Sequence, residues 1–84
     1  MKRIVDVDMS MNCKKFSTAL KRFFNTFPEQ KEEWKETFEY MYENDVDFFC
    51  DDTMGDGTRN DEWRYALHLD HDEEHYYMAL IVRN

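Results

Sequence analysis

Residues 63–82 carry the most regular alternation of apolar and polar positions in the chain. Trp63, Tyr65, Leu67 and Leu69 alternate with Arg64, Ala66, His68 and Asp70. After the polar break His71-Asp72-Glu73-Glu74, the residues Tyr76, Met78, Leu80 and Val82 alternate with Tyr77, Ala79, Ile81 and Arg83. A period of two on both sides of a short polar break is the signature of a β-hairpin. A tight connection predicts that Leu69 faces Tyr76, Leu67 faces Met78, Tyr65 faces Leu80 and Trp63 faces Val82. Every large apolar side chain then lies on one face. A slip by one residue would bury Arg64, His68 and Asp70 instead, so the pattern specifies the face strongly.

Residues 2–9 also alternate, with Val5, Val7 and Met9 on one side and Ile4, Asp6 and Asp8 on the other. They predict a strand that pairs with the hairpin. Ser10 or Asn12 can cap a following helix, because a short side-chain oxygen accepts from an unsatisfied first-turn amide. The period then becomes helical: Phe16, Ala19, Leu20, Phe23, Phe24 and Phe27 fall on one arc, with Lys14, Thr18, Lys21, Arg22 and Asn25 opposite. Thr26-Phe27-Pro28-Glu29 reads as a stop and a new start, with proline in a first turn and Thr26 and Glu29 spaced as a capping box. A second helix follows over residues 28–44, its apolar side made of Trp34, Phe38, Met41 and Tyr42. In residues 45–52, Val46, Phe48 and Cys50 alternate with acids except at Phe49, which predicts a further strand. Residues 53–61 contain both glycines and read as a loop.

The expected order is strand, helix, helix, strand, strand, strand. This is an α+β domain with a small, largely antiparallel sheet of about four strands and a two-helix layer on one face. Its core should bring Trp63, Tyr65, Leu67, Met78 and Leu80 against Phe16, Leu20, Phe23, Trp34 and Phe38. All 84 residues fit one domain with one modest core. No internal repeat or low-complexity linker interrupts it.

Charge changes the picture more than length does. The net charge is −8, and it is unevenly spread. The first 24 residues carry six basic and two acidic side chains, whereas the remaining 60 carry five basic and 17 acidic ones. Such a chain is not drawn to DNA or to anionic lipid; its field favours basic surfaces, including those that themselves bind nucleic acid. No run approaches the roughly 18 apolar residues of a membrane span, and the charged residues near Met1 do not resemble a signal peptide. A cytoplasmic location is therefore expected. Acidity that serves only solubility is the plain alternative to a binding role.

Several clusters invite a chemical reading. His71-Asp72-Glu73-Glu74-His75 matches the bare His-x-x-Glu-His pattern of inverted zinc peptidases, but that motif needs a helix, and these residues connect two strands. A metal site from His68, His75 and Asp70 or Asp72 is possible on the sheet face opposite the core, where the expected register sets Asp70 against His75 and His68 against Tyr77. The loop after Asp51 fits a twelve-position calcium pattern in neither register. Starting at Asp51 puts Asp56 where glycine is required, and starting at Asp52 puts Met54 and Trp63 on ligand positions. Cys13 and Cys50 lack the spacing of a redox or metal pair and are expected as half-buried thiols. No nucleophilic triad, phosphate-binding glycine loop or dinucleotide fingerprint is present. No enzyme, cofactor or resident metal is expected.

A row of carboxylates remains. At about 100° per residue, Glu32, Glu36, Glu39 and Glu43 share one side of the second helix, flanked by Glu29 and Glu33. Positions four apart rise about 6 Å, a spacing on the scale of phosphates along one nucleic-acid strand. Lys31 and Lys35 lie towards the apolar edge, with Lys35 within reach of Glu39, and the row itself lacks interspersed lysines. Asp45, Asp47, Asp51, Asp52 and Asp56 can extend it. The reading is a non-enzymatic protein that docks this nucleic-acid-mimicking surface, made of Glu32, Glu36, Glu39, Glu43, Asp47, Asp51 and Asp52, on a basic protein such as a nucleic-acid-binding one. A phage-type inhibitor has this character. Direct binding of nucleic acid or membrane is not expected. One alternative is a small metal- or ligand-binding domain using the histidine-bearing sheet face. The other is a self-associating structural protein, a homodimer, because Ala66, Tyr77, Ala79 and Ile81 leave that face partly apolar.

Overall fold

The computed structural model of the chain describes residues 4–50 and 64–83. In order, it contains β1 (Ile4–Met11), α1 (Phe16–Thr26), a single 3₁₀ turn (Pro28–Gln30), α2 (Lys31–Glu43), β2 (Phe48–Cys50), β3 (Tyr65–His71) and β4 (Tyr76–Arg83). The strands form one sheet in the order β1-β4-β3-β2, and every neighbouring pair is antiparallel. Both helices pack on one face. This is the α+β order expected from the periodicities.

The core follows from the alternation. Leu67, Leu69, Tyr76, Met78 and Leu80 from the hairpin are buried against Phe16, Ala19, Leu20, Phe23 and Phe24 of α1 and Trp34, Phe38 and Met41 of α2, with Met11 closing one end. Fully burying a side chain of this size contributes about 1.5–3 kcal/mol relative to exposure, so these residues dominate the favourable side of folding. Tyr65, expected inside, is half-buried and packs its ring on Trp34 at a centroid distance of 4.9 Å. Trp63 lies outside the described residues, as does its expected pairing with Val82.

The hairpin faces are as expected, but its register differs by two. Leu69 pairs with Met78, Leu67 with Leu80, Tyr65 with Val82 and His71 with Tyr76. A shift of two keeps each side chain on its face, because the strand period is two, so the apolar pattern cannot distinguish the two registers. Turn chemistry decides. Asp72 opens the turn, its Oδ1 accepting from the backbone N–H of Glu74 at 2.9 Å and of His75 at 2.8 Å, while its own N–H donates to the carbonyl of His75 at 3.0 Å. An aspartate that satisfies the amides two and three residues on fixes where the chain reverses.

Those two N–H donors hold the Asp72 carboxyl below the ordinary aspartate range, with the Glu74 amide the largest cause, and partial desolvation opposes them. Because the folded-state pKa is depressed, Asp72 supports the hairpin fully above the usual aspartate pKa and loses that support as pH falls through the lowered value. An NMR titration of the side-chain carboxyl carbons should show Asp72 titrating below a free aspartate. Asp72→Asn, which lacks the charge, should remove that acid-limb contribution to stability.

The helix starts also differ. β1 continues through Met11, with Ser10 paired to Tyr77 and Met11 to Tyr76, so Ser10 is held in the sheet ladder. α1 begins only at Phe16, with extended Lys15 at the cap position and no side-chain cap from Ser10 or Asn12. The Thr26–Glu29 capping box does not form either. Thr26 Oγ1 donates back to the Arg22 carbonyl at 3.0 Å, and Phe27 occupies the cap before Pro28. Proline does take the first-turn position that its missing N–H allows.

β2 is shorter than expected and its phase is set by Phe49. Phe49 pairs with Leu67 and lies near Tyr40 and Tyr65 on the helix side, leaving Phe48, paired with His68, 57% exposed on the other face. Val46 does not share the Phe48 face. It packs at the end of α2, where its N–H donates to the Met41 carbonyl at 2.8 Å. Among the described residues, no helix is long and apolar enough to cross a membrane.

Candidate functional site

The carboxylate row divides into two unlike halves. Lys35 Nζ lies 3.2 Å from Glu39 Oε2, and Glu39 is only partly exposed. Glu32 and Glu36 border a shallow depression together with Lys31 and Lys35. Lys35 therefore reaches into the row and compensates Glu39, while Lys31 lies beside Glu32 and Glu36 at the same depression. Such exposed i,i+4 pairs stabilise a helix by only about 0.3–0.5 kcal/mol, but they blunt its negative field.

The second half opens into something the row alone did not reveal. Where α2 ends, a cleft of about 660 Å³ is lined by Glu43, Asp45, Asp47, Asp70 and His71 together with Tyr42 and Val46, with the buried Met41 and Leu69 behind them. No lysine or arginine is among its described lining residues. Glu43 comes from the last turn of α2, Asp45 and Asp47 from the connection to β2, and Asp70 from the end of β3. The Leu69 N–H donates to the Asp47 carbonyl at 2.9 Å and draws these elements together. Two of the predicted contact residues, Glu43 and Asp47, thus meet here. Glu32, Glu36 and Glu39 lie along the helix away from the cleft, and Asp51 and Asp52 lie outside the described residues, together with the loop expected over residues 53–61.

The local chemistry of this end of α2 opposes stability. The helix leaves through a Schellman-type turn in which Val46 N–H reaches the Met41 carbonyl and Asp45 N–H reaches that of Tyr42 at 3.3 Å. Asp45 takes the left-handed position of that turn, with φ 56°, the place where glycine is usual. Aspartate is a tolerated but strained choice there. The carboxylates of Glu43, Asp45 and Asp47 also stand at the negative end of the helix dipole, and no basic residue occupies the last turn. Asp45→Gly should therefore raise the unfolding free energy by about 0.5–1 kcal/mol in denaturant titration.

The cleft suits an organic cation better than a metal ion. Among the described residues, no group of three or more histidine, cysteine or acidic side chains is placed to hold a metal. A lysine or arginine from a partner would lay its methylene stem on Tyr42 and Val46, the accessible apolar part of the lining, and set its charge among the carboxylates.

The histidine readings change with the hairpin. Residues 71–75 form the turn and its shoulders, with His71 stacked on Tyr76 at 5.0 Å and His75 Nδ1 3.5 Å from Asp72 Oδ1, so the His-x-x-Glu-His run has no helix beneath it. The corrected register pairs Asp70 with Tyr77 and His68 with Ala79; the expected Asp70–His75 and His68–Tyr77 pairings do not form, although the His68 and Tyr77 rings meet edge to face at 5.5 Å. Cys13 and Cys50 are half-buried free thiols.

No family model matches the chain, and no curated protein or solved structure matches it.

Proposed function

We propose that the protein is a non-enzymatic interaction protein that seats a basic protein segment in the acidic cleft at the end of α2, with the outer glutamates of that helix guiding its approach. A nucleic-acid-binding protein, with its lysines and arginines already displayed, is the natural partner class, and blocking such a protein is the natural consequence. One observation carries the reading. Glu43, Asp45, Asp47 and Asp70 converge around one cleft at a helix end where folding alone favours glycine at position 45 and basic side chains nearby. Departures from local rules without structural gain concentrate at functional sites. Acidity spread for solubility has no reason to collect there.

The row of Glu32, Glu36, Glu39 and Glu43 serves encounter more than affinity in this reading. Rim charges set association rate and salt dependence, whereas pairs desolvated in a cleft set dissociation. The experiment is affinity capture from lysate at low and at high salt. A basic partner retained at low salt and released at high salt is the expected result; retention indifferent to salt counts against the proposal.

A further inference from the structure

The helices cover one face of the sheet, and no described element covers the other. Along that second face the paired residues form rows across the strands. Asp6, Ile81, Ala66 and Cys50 make one row and Asp8, Ala79, His68 and Phe48 the next, both read from the register. Two large apolar side chains stand well exposed on it, Ile4 at 68% and Phe48 at 57%. The centre is shallow because Ala66 and Ala79 are small, which lets another surface approach the backbone closely. Beyond the centre the face is polar in a directional way. Arg64 and Arg83, joined by a 2.7 Å bond from the Arg83 N–H to the Arg64 carbonyl, continue the alternation at one end, and Asp70 and Tyr77 pair at the other.

We infer that this face is a homodimer interface, in which a second copy stacks sheet on sheet with its strands reversed. A two-fold axis lying between the sheets and across the strands brings Arg64 over Asp70 of the second copy, and Asp70 over Arg64 of the second copy. It also brings each Arg83 over the other copy's Tyr77 ring, a favourable cation–π geometry. Ile81 meets Ala79 in the middle. The face is thus complementary to itself in charge and in shape, as an isologous contact must be. The other two-fold, parallel to the strands, would set Arg83 against Arg64 and is disfavoured. The chosen arrangement does place Asp6 near Asp8 of the second copy, but at the exposed β1 margin, where water and salt screen the repulsion.

Size sets the expected strength. Strands of eight, three, seven and eight residues, about 4.8 Å apart, offer a platform on the order of 400 Å² per copy. The pair then buries about 800 Å², below the roughly 1,000 Å² of a stable specific interface, so the dimer is weak and transient, with a dissociation constant on the order of 0.1–1 mM. The inference is independent of the acidic cleft except at Asp70, which stands where the two surfaces meet.

Sedimentation equilibrium of the intact chain over a concentration series tests it. The parent should move from the 10.4 kDa of one chain towards twice that mass as concentration rises. Arg64→Asp and Asp70→Arg, each alone, should remain at the mass of one chain, because each sets like charges together twice; the double exchange should restore the dimer. Ile81→Thr, which keeps a β-branched residue on an already accessible position, should weaken association about tenfold or more. A parent that stays at 10.4 kDa up to millimolar concentration overturns the inference, as do folded single exchanges that dimerise like the parent. Should the exchanges unfold, the parent's own mass and Ile81→Thr decide. Failure here leaves cleft binding untouched, since the Glu43, Asp45 and Asp47 carboxylates are read by partner affinity, not by mass.

Discussion

Replacing Leu67 by Ala will lower the unfolding free energy by about 2–5 kcal/mol, through lost transfer energy and the cavity left behind. Leu67 is fully buried at the centre of the sheet, paired with Leu80 on one side and Phe49 on the other, and part of the single cluster that includes Phe23, Phe38 and Met78. Its neighbours are held from both strands, so the site cannot collapse easily. A chain of this length is expected to have about 4–13 kcal/mol of stability in all, so this one change removes a large part of it. For a domain of this size, each kcal/mol moves the melting temperature by about 4–8 °C, and calorimetry should show a drop of at least about 8 °C. Ala66→Ser, next in sequence but on the opposite face, should change little. Unaltered melting of Leu67→Ala would place the core elsewhere.

That contrast shows what alternation encodes. The face on which each residue lies is legible because burial repeats with the strand period, and Leu67, Met78 and Leu80 are buried as expected. The register is not, because Leu67 meets an apolar partner whether it pairs with Met78 or with Leu80. The answer lies in a single side chain, Asp72, whose two accepted hydrogen bonds locate the reversal. Helix interiors were similarly legible from their phenylalanine spacing, while their starts were not. Ser10 is a good cap in isolation, but the ladder to Tyr77 claims it first. At Phe48 and Phe49 two adjacent aromatics leave the phase ambiguous, and the packing of Tyr40 and Tyr65 on Phe49 resolves it.

The candidate site was legible only in part for the same reason. A helix displays its own row, so Glu32, Glu36, Glu39 and Glu43 can be read from spacing alone. A cleft made by three separate elements cannot. Asp70 joins Glu43, Asp45 and Asp47 only because β2 and β3 pair and the chain turns at Asp45. The one local signal was available: an aspartate, not a glycine, directly after the helix and among like charges. Asp45→Gly should accordingly gain stability while weakening binding, the usual trade between a strained functional position and a relaxed one.

The acidic cleft is the proposed seat of the partner, and its most direct measurement is the affinity of the captured basic partner for two proteins across a salt series. One is the parent; the other is the triple variant Glu43→Gln, Asp45→Asn and Asp47→Asn, which keeps Asp70 and the sheet face intact. The variant should fold as well as the parent, since it relieves like charges at the negative end of α2. Removing a carboxylate from a buried pair leaves a stranded cation on the partner and costs about 2–5 kcal/mol, so even one such pair means a loss of about thirtyfold or more. A matched variant, Glu32→Gln with Glu36→Gln and Glu39→Gln, should slow association and flatten the salt dependence with a much smaller loss. If the triple variant binds the partner as tightly as the parent, or if the parent's affinity does not fall as salt rises, the cleft is not where the partner sits.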